Sequence, residues 1–150
     1  MEEYHIDSHM DLLRLVEEAF GEGQQDIRTF SPLPLAFAGD AVYELIVRSM
    51  LLRRGNRPVH KLTQSSIAYS NAVTQAKVAQ AILPELTDEE EQAFRRGANA
   101  TVHSFAKSAS KHEYKTATAL ESLIGYLYFT GRSARVVELL QLGFGRVAQV

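Results

Sequence analysis

Two apolar stretches, each carrying one carboxylate and one glycine, constrain this chain more than any other feature. The first is LAFAGDAVYELIVR, residues 35–48, and the second is YKTATALESLIGYLYF, residues 114–129. Both read as core helices, because apolar residues dominate and no strict alternation appears. A mid-helix glycine nevertheless costs about 1 kcal/mol relative to alanine. An ionised carboxylate away from water is costlier still unless something pairs with it. Asp40 directly follows Gly39, and Glu121 precedes Gly125 by one turn. Glycine lets a neighbouring helix or ligand come close, so two such helices packed together would bring Asp40 and Glu121 to one point. Carboxylates that converge avoid repulsion by sharing a cation, and hard oxygen ligands suit Mg²⁺. That donor set serves phosphodiester hydrolysis. The plainer alternative is that each acid faces solvent or pairs with a base. Glu44 and Arg48 stand at i, i+4, so Glu44 is expected in a salt bridge rather than at the metal.

The rest of the chain reads as all-α, about six helices in one domain over residues 1–150. Residues 1–30 form an acidic helix and loop, with Ser8 as N-cap and Gly21 as stop. The core spans 31–143. Pro32 opens a helix that runs to Arg54 and stops at Gly55. A long third helix is expected from Asn56 and Pro58 to Pro84. Thr87 and Glu90 form a capping box for a short acidic helix closed by Gly97. Residues 98–112 read as a loop, 113–129 as the fifth helix, and Ser133 as the cap of the last. No strand pattern or internal repeat is visible.

Composition excludes several chemistries. The chain has no cysteine, so disulfides, thiolate metal sites and a cysteine nucleophile are ruled out. No apolar run reaches the roughly 18 residues of a membrane span, and a soluble, cytoplasmic protein is expected. Phosphate-loop, dinucleotide and serine-elbow signatures are missing. His5 and His9 share a helical spacing without a third ligand, which favours surface over a metal site. His60, His103 and His112 lie in or beside basic segments. Net charge is −2, but acids crowd residues 1–26 and 85–91. Residues 48–61 carry Arg48, Arg53, Arg54, Arg57 and Lys61 with no acid, and residues 95–115 carry five bases against Glu113. Segments of this kind can bind a polyanion locally, or can be solvated helix surface.

Phe37-Ala38-Gly39-Asp40-Ala41-Val42 resembles the signature helix of ribonuclease III domains. Ala119-Leu120-Glu121-Ser122-Leu123-Ile124-Gly125-Tyr126-Leu127-Tyr128 resembles that family's second acidic motif. With Arg96-Gly97, Asn99-Ala100 and Tyr114, the ordered set over residues 31–143 is most similar to the minimal branch, Mini-ribonuclease III. That branch has the catalytic domain without a double-stranded RNA-binding domain. Full-length members carry further acids where this chain has Ala36 and Thr118, and the minimal branch lacks them too. The branch usually has a base where this chain has Ala98.

The resemblance implies a ribonuclease III-like helical bundle and a homodimer with Phe37 in a socket of the partner subunit. It implies Mg²⁺-dependent cleavage of double-stranded RNA to 5′-phosphate and 3′-hydroxyl ends, in maturation of large-subunit (23S) ribosomal RNA. Asp40 and Glu121 would be the catalytic metal ligands. Arg53, Arg54, Arg95, Arg96, Asn99, Lys107 and Lys111 would contact RNA through phosphates and 2′-hydroxyls. A ribosomal protein on the substrate is a further expected partner. The alternative function is a catalytically weak, dimeric RNA-binding factor in ribosome assembly, which the thinned acid set and Ala98 keep open. An all-α interaction module is a third reading.

Overall fold

The structure is a computed structural model that describes residues 11–21, 25–100 and 110–148. Among these residues it is all helical, with seven α-helices: α1 Leu12–Phe20, α2 Pro32–Arg54, α3 Val59–Ser70, α4 Ala72–Ile82, α5 Asp88–Ala98, α6 Lys111–Phe129 and α7 Ser133–Ala148. Short 3-10 turns cover Ile27–Thr29 and Leu83–Glu85.

The second apolar stretch forms the axis of the bundle. Along α6, Thr116 to Leu120 and Ser122 to Leu127 are all buried, because α2, α4, α5 and α7 pack around it. The core joins Tyr43, Val47 and Leu51 of α2 to Leu120, Leu123 and Leu127 of α6, with Val78 and Ile82 of α4 and Leu140 of α7. Tyr43 is fully buried, and its hydroxyl donates to the Tyr69 carbonyl, tying α2 to the end of α3. Three-residue offsets pin helix starts: Thr87 and Glu90 cap each other reciprocally, as do Ser110 and Glu113. Glu90, 2% exposed, also takes two hydrogen bonds of 2.9 Å from Arg135. The Arg135 guanidinium holds the Glu90 carboxyl below its ordinary range and locks α5 to α7.

Five local expectations need correction. Among the described residues the α-helices number seven where about six were expected, because the long third helix breaks at Asn71. That side chain accepts from the Thr74 N–H and donates to the Ile67 carbonyl, so one residue ends α3 and starts α4. The N-cap of α1 is Asp11, whose carboxylate accepts from the Leu13 N–H, while the expected cap, Ser8, lies outside the described residues. Helix α5 continues past Gly97 to Ala98, with Asn99 as its cap. The loop is shorter than 98–112, since the Ser110 capping box starts α6 at Lys111. Finally, Ser133 is the first residue of α7 rather than a cap outside it.

Candidate active site

Where α2 crosses α6, both helices present a glycine to the other's backbone. A Cβ built on Gly39 would sit far inside contact distance of the Glu121 carbonyl oxygen, and 2.8 Å from the Gly125 nitrogen. A Cβ on Gly125 would collide in the same way with the Leu35 carbonyl oxygen. The pairing of 35 with 125 and 39 with 121 makes the helices antiparallel. Only hydrogen atoms separate the two backbones here, which explains a glycine in each apolar helix.

This crossing brings the two acids together. Asp40 and Glu121 lie within hydrogen-bonding reach of each other, although they come from motifs far apart in the chain. Glu121 is half-buried, whereas Asp40 is exposed. The sequence reading placed both acids away from water, and for Asp40 that is corrected: Gly39 faces α6, and its neighbour turns toward solvent. Burial pushes the Glu121 carboxyl up to about 8, and the Asp40 charge beside it adds to the shift. Glu44 pairs with Arg48 at 3.2 Å, as its spacing suggests.

Two oxygen-rich side chains in reach of each other, without a base between them, fit a hard divalent cation. Among the described residues no group of three or more His, Cys, Asp or Glu side chains is placed to hold a metal. An ion held by Asp40 and Glu121 alone leaves most of its coordination to water and to phosphate oxygens, the usual habit of Mg²⁺.

The raised Glu121 pKa has a consequence for stability. Between its ordinary value of 4.5 and about 8, the folded chain holds a proton that the unfolded chain releases. Its contribution to stability is therefore full below pH 4.5 and is lost as pH rises through 8. Glu121→Gln cannot ionise and escapes that loss. In EDTA, the melting temperature of the variant relative to the parent should rise between pH 5 and pH 8.5. A difference that stays constant across this range would refute the assignment.

The expected RNA-contact residues are scattered. Arg53 and Arg54 end α2, about 20 Å along the helix from Asp40 at 1.5 Å per residue. Arg53 makes no hydrogen bond or ion pair among the described residues, while Arg54 reaches the Tyr69 hydroxyl at 3.4 Å. Arg95 pairs with Glu91 at 2.6 Å. Arg96 donates to the Phe30 carbonyl at 3.0 Å, bracing α5 against the start of α2. Asn99 caps α5 through its backbone N–H, and its side chain is exposed. Lys111 is exposed at the first turn of α6. Lys107, like His5, His9 and His103, lies outside the described residues.

Phe37 is 85% exposed, so it is not intrachain core. With Leu33, Ala41 and Leu45 it forms an open stripe at four-residue spacing on the side of α2 away from α6. Sequence reasoning missed Gly97, whose Cβ would lie 2.7 Å from Ser122 Cβ and 2.9 Å from Ala119 Cα. It seats α5 directly beside Glu121. The sequence reading took this glycine for a helix stop and for part of the family resemblance, not for a packing contact.

Comparison with known proteins agrees with the all-helical fold. The sequence model of the Ribonuclease III domain matches residues 33–132. A Mini-ribonuclease 3 of Symbiobacterium thermophilum is 43% identical over 113 residues, covering 75% of this chain and 87% of the relative. One of Enterococcus faecalis is 38% identical over 127 residues, covering 83% and 96%. A crystal structure of a Fusobacterium nucleatum protein superposes with a TM-score of 0.73 at 32% identity, covering 81% of this chain and 98% of that one.

Proposed function

Because this chain belongs to the ribonuclease III domain family, in its Mini-ribonuclease 3 branch, it is an endoribonuclease of the ribonuclease III type, and we propose that it cuts double-stranded RNA at the Asp40–Glu121 pair with Mg²⁺. The observation that carries this reading is the meeting of two carboxylates, neither paired with a base among the described residues, at a glycine-to-glycine helix crossing.

When bound, Mg²⁺ would supply Lewis acidity toward the phosphate and lower the pKa of coordinated water. Asp40 and Glu121 would hold it. Glu121, whose carboxyl burial pushes up to about 8, would have to give up its proton to hold the ion, so activity should rise with pH through the neutral range. The exposed Asp40 leaves the scissile phosphate a direct approach. Attack by water at phosphorus, in line with the ribose 3′ oxygen, breaks the P–O3′ bond and leaves 5′-phosphate and 3′-hydroxyl ends. The close-packed α2 and α6 backbones hold both ligands in place, which is the pre-organisation such a reaction needs.

The open stripe around Phe37 supports a homodimer, since four exposed apolar positions on one helix suit a two-fold, self-complementary contact. Two sites would then face one duplex, one per strand. Arg53, Arg54, Asn99, Lys107 and Lys111 are the residues we assign to RNA, with Arg95 and Arg96 joining only by leaving their present partners. The substrate we favour is large-subunit ribosomal RNA precursor in the cytoplasm, with a ribosomal protein on it as a further partner. The family match supports the RNA class; the particular RNA is the proposal.

Cleavage of a long RNA duplex, with Mg²⁺ or with EDTA, tests the reaction class. Cutting in Mg²⁺ alone, with 5′-phosphate ends and sparing of single strands, is the expected result. Equal cutting in EDTA would sink the metal assignment. Tight binding without cutting would favour the RNA-binding assembly factor.

A further inference from the structure

Helix α1 is nine residues long and sharply two-sided. On a helical wheel Leu12, Leu13, Leu15, Val16 and Phe20 share one face, with Asp11, Arg14, Glu17 and Glu18 opposite. A helix this short is marginal without packing, yet of that face only Leu13 is buried by its own chain. Leu12 is 57% exposed and Phe20 80%. Its polar side is acidic, and its one base, Arg14, is spent on Glu18 at 3.0 Å. Such a helix is repelled by nucleic acid and by anionic membranes alike. It suits an apolar surface with a basic rim.

One such surface lies elsewhere on this chain. Leu51, Leu52, Val59 and Leu62 line a shallow groove of about 170 Å³ between α2 and α3, with room for a single large side chain. Leu52 and Val59 are open at 60% and 77% exposure. Arg48, paired with Glu44, lines it as well, and the exposed Arg53, Arg57 and Lys61 lie next to its lining residues in the chain, in a stretch with no acid. Charge and apolarity both complement α1.

The two surfaces do not meet within one chain. Asp11 and Glu17 act electrostatically on Tyr128, so α1 sits by the C-terminal end of α6. Because α2 and α6 are antiparallel, that is the N-terminal end of α2. The groove lies at the other end, about 30 Å away along the helix. We infer that α1 docks into the α2–α3 groove of a second copy of this chain, with Phe20 as the inserted side chain. This rests on the homodimer reading above. A two-fold axis across the Phe37 stripe runs the two α2 helices antiparallel, which sets the α1 end of one copy beside the groove end of the other. The family match begins at residue 33, so α1 extends the dimer from outside the shared domain. An Arg53 engaged by α1 is withdrawn from RNA.

The natural absence of cysteine makes the test clean. Full-length Phe20→Cys and Val59→Cys proteins are mixed and mildly oxidised. The mixed disulfide dimer should form about a hundredfold faster than when Gln80→Cys replaces Val59→Cys, since contact raises the thiols' effective concentration from micromolar toward millimolar. No such preference, in a protein that sediments as a dimer, overturns the docking and leaves the dimer intact. A disulfide within single chains of a protein carrying both Phe20→Cys and Val59→Cys overturns it in favour of self-docking. If the unmodified protein sediments as a monomer, the homodimer reading fails, and this inference with it.

Discussion

Asp40→Asn should cut duplex RNA at least about a thousandfold more slowly than the parent, with binding little changed. The several kcal/mol that a metal contributes as Lewis acid translate to about 10³ in rate, and with two protein ligands the loss of one leaves too little to hold the ion. Asn keeps the shape of Asp and removes its charge. Because Asp40 is exposed, the substitution should not unfold the chain. It should in fact relieve Glu121, whose carboxyl is raised in part by the Asp40 charge. The variant therefore separates chemistry from fold: melting temperature in EDTA unchanged or higher, turnover gone. Near-normal cutting in Mg²⁺ would move the active site elsewhere.

Gly39→Ala carries the largest expected cost in stability. The new methyl would lie on the Glu121 carbonyl, with the Glu121 carbonyl carbon and the Gly125 nitrogen each at 2.8 Å. All three are backbone atoms of a helix packed by the rest of the core, so no side chain can swing aside. The helices must separate, and overpacking of this kind costs about 3 kcal/mol or more. For a chain of this size that lowers the melting temperature by roughly 6–12 °C. Turnover should fall as well, because separating α2 from α6 also separates the two carboxylates. A thermal melt and a cleavage assay on one preparation decide the matter. An unchanged melting temperature would mean the crossing is looser than described.

What the sequence made legible was mostly what local chemistry writes. Pro32 and Gly55 bound α2, and Thr87 with Glu90 starts α5. The break at Asn71 was hidden because apolar residues recur on a helical period across both α3 and α4, with neither proline nor glycine between them. The available signal was an N-cap residue three positions before Thr74. Ser110 and Glu113 offered the same kind of signal inside a stretch that composition made look like loop. For the site, the glycines pointed correctly to a close crossing. Which way Asp40 turns was not readable, because it depends on the rotation of α2 against α6. Nor was the use of Arg96 within the fold, since it reaches a carbonyl distant in the chain, whereas the Glu91–Arg95 pair has the same i, i+4 spacing as Glu44–Arg48.

The crossing also sets the order in which this enzyme can come to life. Its two halves belong to helices separated by most of the domain, so closing the long intervening loop comes at an entropic cost that local helix formation does not offset. A chain emerging from the ribosome presents α2, with Asp40 already exposed, well before α6 has been made. Until α6 threads into the centre of the bundle, neither carboxylate has its companion and the core has no axis. On the function proposed above, the chain gains activity only once α6 is in place. The paired carboxylates and the axis of the core are thus completed by one and the same long-range step, the docking of α6 on α2.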